Sequence, residues 1–178
     1  MDTRHEKDSN ASDASDDSST AYTPTHTTEH GPSSHSDSPC AHVSFSPRAP
    51  TPGQTYMIRH RESGKVIGLN HGRLGLEENS DPQNGCYWDC VQTLGWVGFR
   101  ETVSNNFLGR DGNFAFRATE KLHLPWEWFV VAAQGNEGCH LQSPHWLSLR
   151  WVGIGQDGRS LVDVTSSAEA ALWEFVEV

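Results

Sequence analysis

Three short apolar stretches recur along this chain, each with an acid directly after a tryptophan: Tyr87-Trp88-Asp89-Cys90-Val91, Trp126-Glu127-Trp128-Phe129-Val130-Val131 and Leu172-Trp173-Glu174-Phe175-Val176. A β-prone pattern returning at roughly 40 residues marks a repeated supersecondary unit, each copy too small to bury its apolar face alone. Other residues keep the step. Gly98-Phe99-Arg100 repeats Met57-Ile58-Arg59, and Ser63, Ser104 and Ser143 mark a second place. Ile67-Gly68-Leu69, Phe107-Leu108-Gly109 and Trp146-Leu147-Ser148 mark a third, and His71-Gly72, Asp111-Gly112 and Asp157-Gly158 a fourth. The longer last interval places about six extra residues in the third unit, within Leu149 to Gln156. In this register Trp88, Trp126, Trp146 and Trp173 belong in or beside the core.

Each unit reads as four short strands. They are Tyr56–Arg59, Val66–Leu69, Leu74–Glu77 and Tyr87–Val91, then Trp96–Arg100, Phe107–Leu108, Phe114–Arg117 and Trp126–Val131, then Cys139–Leu141, Trp146–Arg150, Ser160–Val164 and Leu172–Val176. Short strands divided by Gly, Asn and Asp predict an all-β fold, and no stretch keeps a helical period. Three units of four, at about 56–92, 96–134 and 139–178, predict a β-trefoil, with six strands in a barrel and six in hairpins capping one end.

Residues 56–178 resemble the fascin-like branch of the trefoils, in its single-domain fungal-type form. Ser104-Asn105-Asn106-Phe107-Leu108-Gly109, Asp111-Gly112 and the Trp-Glu-x-Phe strand carry the likeness. Gln54-Thr55-Tyr56-Met57-Ile58 with Ser63-Gly64-Lys65-Val66 is similar to a ricin-type lectin repeat. The Gln-x-Trp signature of those lectins is absent; the nearest approach is Gln92-Thr93-Leu94-Gly95-Trp96. The fascin resemblance implies an actin-associated role, and the ricin resemblance a sugar ligand.

Residues 1–50 are of another composition, rich in Ser, Thr, Pro and His and holding only two aromatics, Tyr22 and Phe45. Such a segment buries too little apolar surface to offset the entropy of ordering and is expected to be a disordered tail before a 51–178 domain. It lacks the apolar run of a signal peptide. The net charge of −10 disfavours nucleic acid and anionic membrane as partners. Cys40, Cys86, Cys90 and Cys139 form no CxxC pair and read as reduced thiols of a cytoplasmic protein.

The acids after each tryptophan read as cross-strand partners of Arg59 and Arg100 on the barrel exterior, with Gln142 or Arg150 standing in the third unit. His71, Asp111 and Asp157, each before Gly, read as primed hairpin turns. His60, His123, His140 and His145 show no metal-ligand spacing, so neither metal nor cofactor is expected. Trp96, Trp128 and Trp151 carry no repeat obligation, and Trp151 falls in the stretch that breaks the symmetry.

Three functions fit. The first is a non-enzymatic module, monomer or weak dimer, that recognises a protein or glycan through loops of the third unit. The second is a cofactor-free cyclase or isomerase acting on a small hydrophobic molecule, with Trp96, Trp128 and Trp151 lining its pocket. The third is actin association. The candidate ligand-binding residues are Trp151, Arg150, Trp96, Trp128, His145 and His71; no catalytic residue is assigned.

Overall fold

The structure, a computed structural model, describes residues 48–178 apart from 79, 80, 82 and 84. The tail reading, with Cys40 and the first five histidines, lies outside the described residues. Among those described, no helix is long and apolar enough to cross a membrane.

Twelve strands follow one another: β1 Thr55–His60, β2 Val66–Asn70, β3 Arg73–Glu77, β4 Trp88–Thr93, β5 Trp96–Glu101, β6 Phe107–Arg110, β7 Phe116–Glu120, β8 Val130–Ala133, β9 Cys139–His145, β10 Ser148–Ile154, β11 Leu161–Val164 and β12 Trp173–Glu177. Short 3-10 turns at Pro125–Glu127 and Ser167–Glu169 precede β8 and β12. The strands form because apolar and polar residues alternate with the pleat. In β1, Tyr56, Ile58 and His60 turn inward while Arg59 faces water.

A ring of six strands closes into a barrel. β1 pairs with β12 and β4, β4 with β5, and β8 with β9. β5 reaches β8 through a bridge between Val97 and Phe129, and β9 meets β12 at Cys139 and Trp173. The hairpins β2–β3, β6–β7 and β10–β11 complete three four-strand units. The all-β trefoil implied by the repeat is the fold of the described residues.

The strand register corrects the alignment of the units. Arg59 faces Val66, Arg100 faces Phe107 and Gln142 faces Trp151. The next residues along, Ile67, Leu108 and Val152, are each at most 1% exposed, and Gly68, Gly109 and Gly153 follow them. Trp151 is therefore a strand residue shared by the repeat. Part of the third unit's extra length lies ahead of it, since Gln142 to Trp151 spans two residues more than Arg59 to Val66. Trp146, expected in the core, stands at the tip of the longer β9–β10 hairpin and is 86% exposed.

The barrel shows a similar shift. Trp88 opposes Glu101 and Trp173 opposes His60, and both indoles are fully buried. In the second unit that place belongs to Phe129, next to the Val130–Gln142 pair and 1% exposed. Trp126 falls outside the barrel, on the 3-10 turn, at 44% exposure. Glu127 goes with it. Its carboxylate is buried rather than paired with Arg100, which meets Asp89 at 3.0 Å; Arg59 meets Glu174 at 2.7 Å. Two of the three expected cross-strand pairs exist, and Gln142 ends the series.

Only one of the three expected two-residue primed turns forms. His71 and Gly72 both take positive φ, +48° and +77°, between Asn70 and Arg73. Asp111 and Asp157 instead fold longer loops. Asp111 Oδ1 accepts the N–H groups of Asn113 and Ala115, at 2.8 and 2.9 Å. Asp157 Oδ1 accepts those of Arg159 and Ser160, at 3.0 and 2.8 Å. An aspartate that bonds the backbone two to four residues on replaces the primed turn with a wider one.

Candidate functional site

At two of the three junctions of the pseudo-threefold fold, a cleft lies where the hairpin of one unit meets the first loop of the next. Its wall residue follows the strand glycine: Leu69, Arg110 and Ile154 are equivalent. Between the third and first units the cleft is a groove of about 550 Å³ lined by His60, Arg61, Glu62, Ile154 and the Ala168–Leu172 segment. His60 there donates to or accepts from Ser63 Oγ at 2.8 Å, and burial lowers its pKa, with Glu62 opposing. Between the second and third units the cleft is smaller, about 190 Å³, and half of its lining is aromatic: Arg110, Phe114, Pro125, Trp126, Pro144 and Trp146.

Local backbone chemistry holds each of these rings in place. The Asp111 loop ends on Phe114, whose φ is +62°, and Trp146 sits at +52° in the two-residue turn between His145 and Ser148. A left-handed conformation on a bulky L-residue costs on the order of 1–3 kcal/mol, and such strain gathers at functional sites. Two aromatics that bear it line one cleft. Phe114 packs against the His145 ring at 4.5 Å and the Trp126 ring at 6.3 Å.

Trp126 is presented by the 3-10 turn, and Glu127 anchors that turn. Its carboxylate accepts the Leu124 N–H at 3.1 Å, while the Glu127 N–H donates to the Leu124 carbonyl at 2.9 Å. Burial raises the Glu127 pKa, the Leu124 N–H opposes, and the charge of Glu120 adds to the rise. Pro125 opens the turn, where its missing N–H costs nothing.

Beneath the rings lies Arg110, 4% exposed. Its Cζ stands 5.5 Å from the Phe114 centroid and 6.0 Å from that of Trp126, within reach of a cation–π attraction. Nη1 is 3.5 Å from Asp163 Oδ1, beyond a good hydrogen bond, and neither Nε nor Nη1 has an acceptor. Burial lowers the pKa of Arg110; Asp163 opposes this and Arg150 adds to it.

The residues singled out from sequence are spread over the surface. His145 packs its ring against Phe114 of the cleft, and the charge of Arg150 acts on Arg110. Trp151 stands edge-on to His140 at 5.3 Å, on the strand leading from the same hairpin. Trp96 and Trp128 stack on each other at 5.2 Å and 9° beside the β5–β8 bridge, so the three tryptophans do not line one pocket. His71 borders a separate groove of about 610 Å³ with Asn70, Arg73, Leu74, Arg159 and Ser160. The sequence reading missed Arg110, Phe114, Trp126 and Trp146 as site residues. The available signal was Arg110 itself, a charge where the repeat otherwise has Leu69 and Ile154.

No protein-family model matches the sequence, and no curated protein does. Solved structures do resemble it. The Rhizoctonia solani agglutinin is 14% identical, with a TM-score of 0.60 over 74% of this chain and 99% of its own. The Macrolepiota procera ricin B-like lectin, in complex with lactose, is 15% identical, with a TM-score of 0.57 over 74% of this chain and 100% of its own. Against a GlcNAcα1-4Gal-releasing endo-β-galactosidase from Clostridium perfringens the figures are 12% and 0.56, over 70% of this chain but only 32% of the enzyme. The chain thus spans about a third of that enzyme. At these identities the likeness is one of fold, and it supports the ricin-type trefoil resemblance at that level.

Proposed function

We propose that the chain is a non-enzymatic carbohydrate-binding module whose glycan site is the aromatic cleft between the second and third units. The observation that carries this reading is the pair of aromatics, Phe114 and Trp146, held at positive φ around one small cleft. The C–H faces of a sugar ring lie against such rings, which offer apolar area with little conformational freedom to lose. Arg110 supplies a polar group that fixes orientation. The lectin trefoils of like fold lend the reading further support, one of them having been solved with lactose.

The test is titration of the full chain with lactose and a panel of oligosaccharides, followed by tryptophan fluorescence. Trp126→Ala and Trp146→Ala should each weaken binding by about tenfold or more, the loss typical of a hot-spot aromatic. A panel without a binder overturns the proposal, and so do variants that bind as the parent does.

A further inference from the structure

We infer that the aromatic cleft takes a glycan whose terminal ring bears a carboxylate, with Arg110 as the seat for that anion. This rests on the glycan reading above and narrows it to a ligand class. A threefold fold asks for an apolar residue at this strand position, and Leu69 and Ile154 supply it in the other units. Placing a guanidinium there takes a charge out of water, which is unfavourable unless its donors are matched.

They are matched only in part. Asp163 approaches at 3.5 Å without a hydrogen bond, its Oδ1 has no other donor, and Nε and Nη1 of Arg110 have no acceptor. Buried donors left without acceptors are rare in folded proteins. Arg150 is a second cation, and its charge acts on Arg110. The chain as a whole carries −10, and this local excess of positive charge runs against that background. A planar carboxylate meets a guanidinium through two parallel hydrogen bonds, a geometry that a hydroxyl cannot reproduce. The cleft of about 190 Å³ is below the range of about 300–1,000 Å³ for whole small-molecule ligands, which suits a single terminal ring.

The experiment compares lactose, 3′-sialyllactose and 3′-sulfolactose on the full chain by calorimetry, at low salt and at 1 M NaCl. Sialyllactose should bind about tenfold tighter than lactose or better, with the gap narrowing at high salt. Arg110→Gln should close the gap. Because Arg110 is also buried structure, Asp163→Asn is the second variant: it removes the internal competitor and should widen the gap about threefold or more while the melting temperature is followed.

Equal affinity for lactose and sialyllactose overturns the carboxylate seat and leaves the glycan reading standing. Preference for sulfolactose overturns it in favour of a tetrahedral anion. An unchanged gap in folded Asp163→Asn overturns it too. Binding of none of the three sugars, nor of any on the wider panel, removes both readings.

Discussion

Glu127 lies against the bare backbone of Gly109: a Cβ at position 109 would stand 2.9 Å from the Glu127 Cγ and 2.9 Å from the Trp126 carbonyl. The turn that carries Trp126 therefore seats on β6 only because residue 109 has no side chain. Gly153 repeats this relationship in the third unit, where a Cβ would stand 2.9 Å from the Glu169 carbonyl. Gly109→Ala should destabilise the domain by about 1–3 kcal/mol in urea titration, through overpacking, and should weaken glycan binding by displacing Trp126.

Glu127 itself gives a pH prediction. Burial raises its folded pKa, so between the unfolded value and that raised value the folded state holds more protons. The Glu127 contribution to stability is thus greatest in acid and falls as pH rises through this window. Glu127→Gln keeps an acceptor for the Leu124 N–H and removes the titration. Relative to the parent it should gain stability at pH 7 over pH 4, measured as the difference in unfolding free energy at the two pH values. A difference that runs the other way would mean that the ionised form is the one favoured by the fold.

The barrel positions separate from the cleft positions in stability. Phe129→Ala and Trp173→Ala each empty a fully buried place and should cost about 3–5 kcal/mol. Trp146→Ala should stay within about 0.5 kcal/mol, since its ring is exposed. Trp151 falls between them as a half-buried strand residue packed on His140, and its alanine variant should cost about 1–3 kcal/mol. Chemical denaturation of the four variants ranks them.

Cys86, Cys90 and Cys139 are buried, and burial raises each thiol pKa, that of Cys90 to about 11. Thiolate, not thiol, attacks a disulfide reagent. In a Cys40→Ser background the native chain should react with an aromatic disulfide far more slowly than the unfolded chain. Fast reaction at native pH would show that the barrel opens readily.

The period, the strand content and two of the Arg–acid pairs were legible because they rest on backbone spacing and on charges facing water across a ladder. The register of the second and third units was not, because it was sought in the recurrence of tryptophan. The barrel asks for buried volume, and Phe129 meets that demand as well as Trp88 and Trp173 do. Trp126 and Trp146 mimic the repeat in residue type while serving turns at the surface. The cleft was hidden for a related reason. Its members come from three separated segments, and the positive φ of Phe114 and Trp146 leaves no mark in residue type. Glycine, the usual sign of such a conformation, is absent at both positions.

The ladders of the barrel are unequal. β4 runs along β5 over its full length, as β12 does along β1, yet β9 touches β12 at one pair and β5 meets β8 by one bridge. The firm ladders join neighbouring units and the thin seams lie within units. A unit cut from the chain would thus keep its hairpin and its thin seam and lose the barrel ladders to both neighbours. The same arrangement brings the two ends of the ring together, where the Val178 N–H donates to the Thr55 carbonyl at 3.1 Å. A short peptide could splice the ends there, and the chain could be reopened at the exposed Gln134–Glu137 bend without parting any ladder. Which unit comes first would then be an accident of gene order that the barrel does not register.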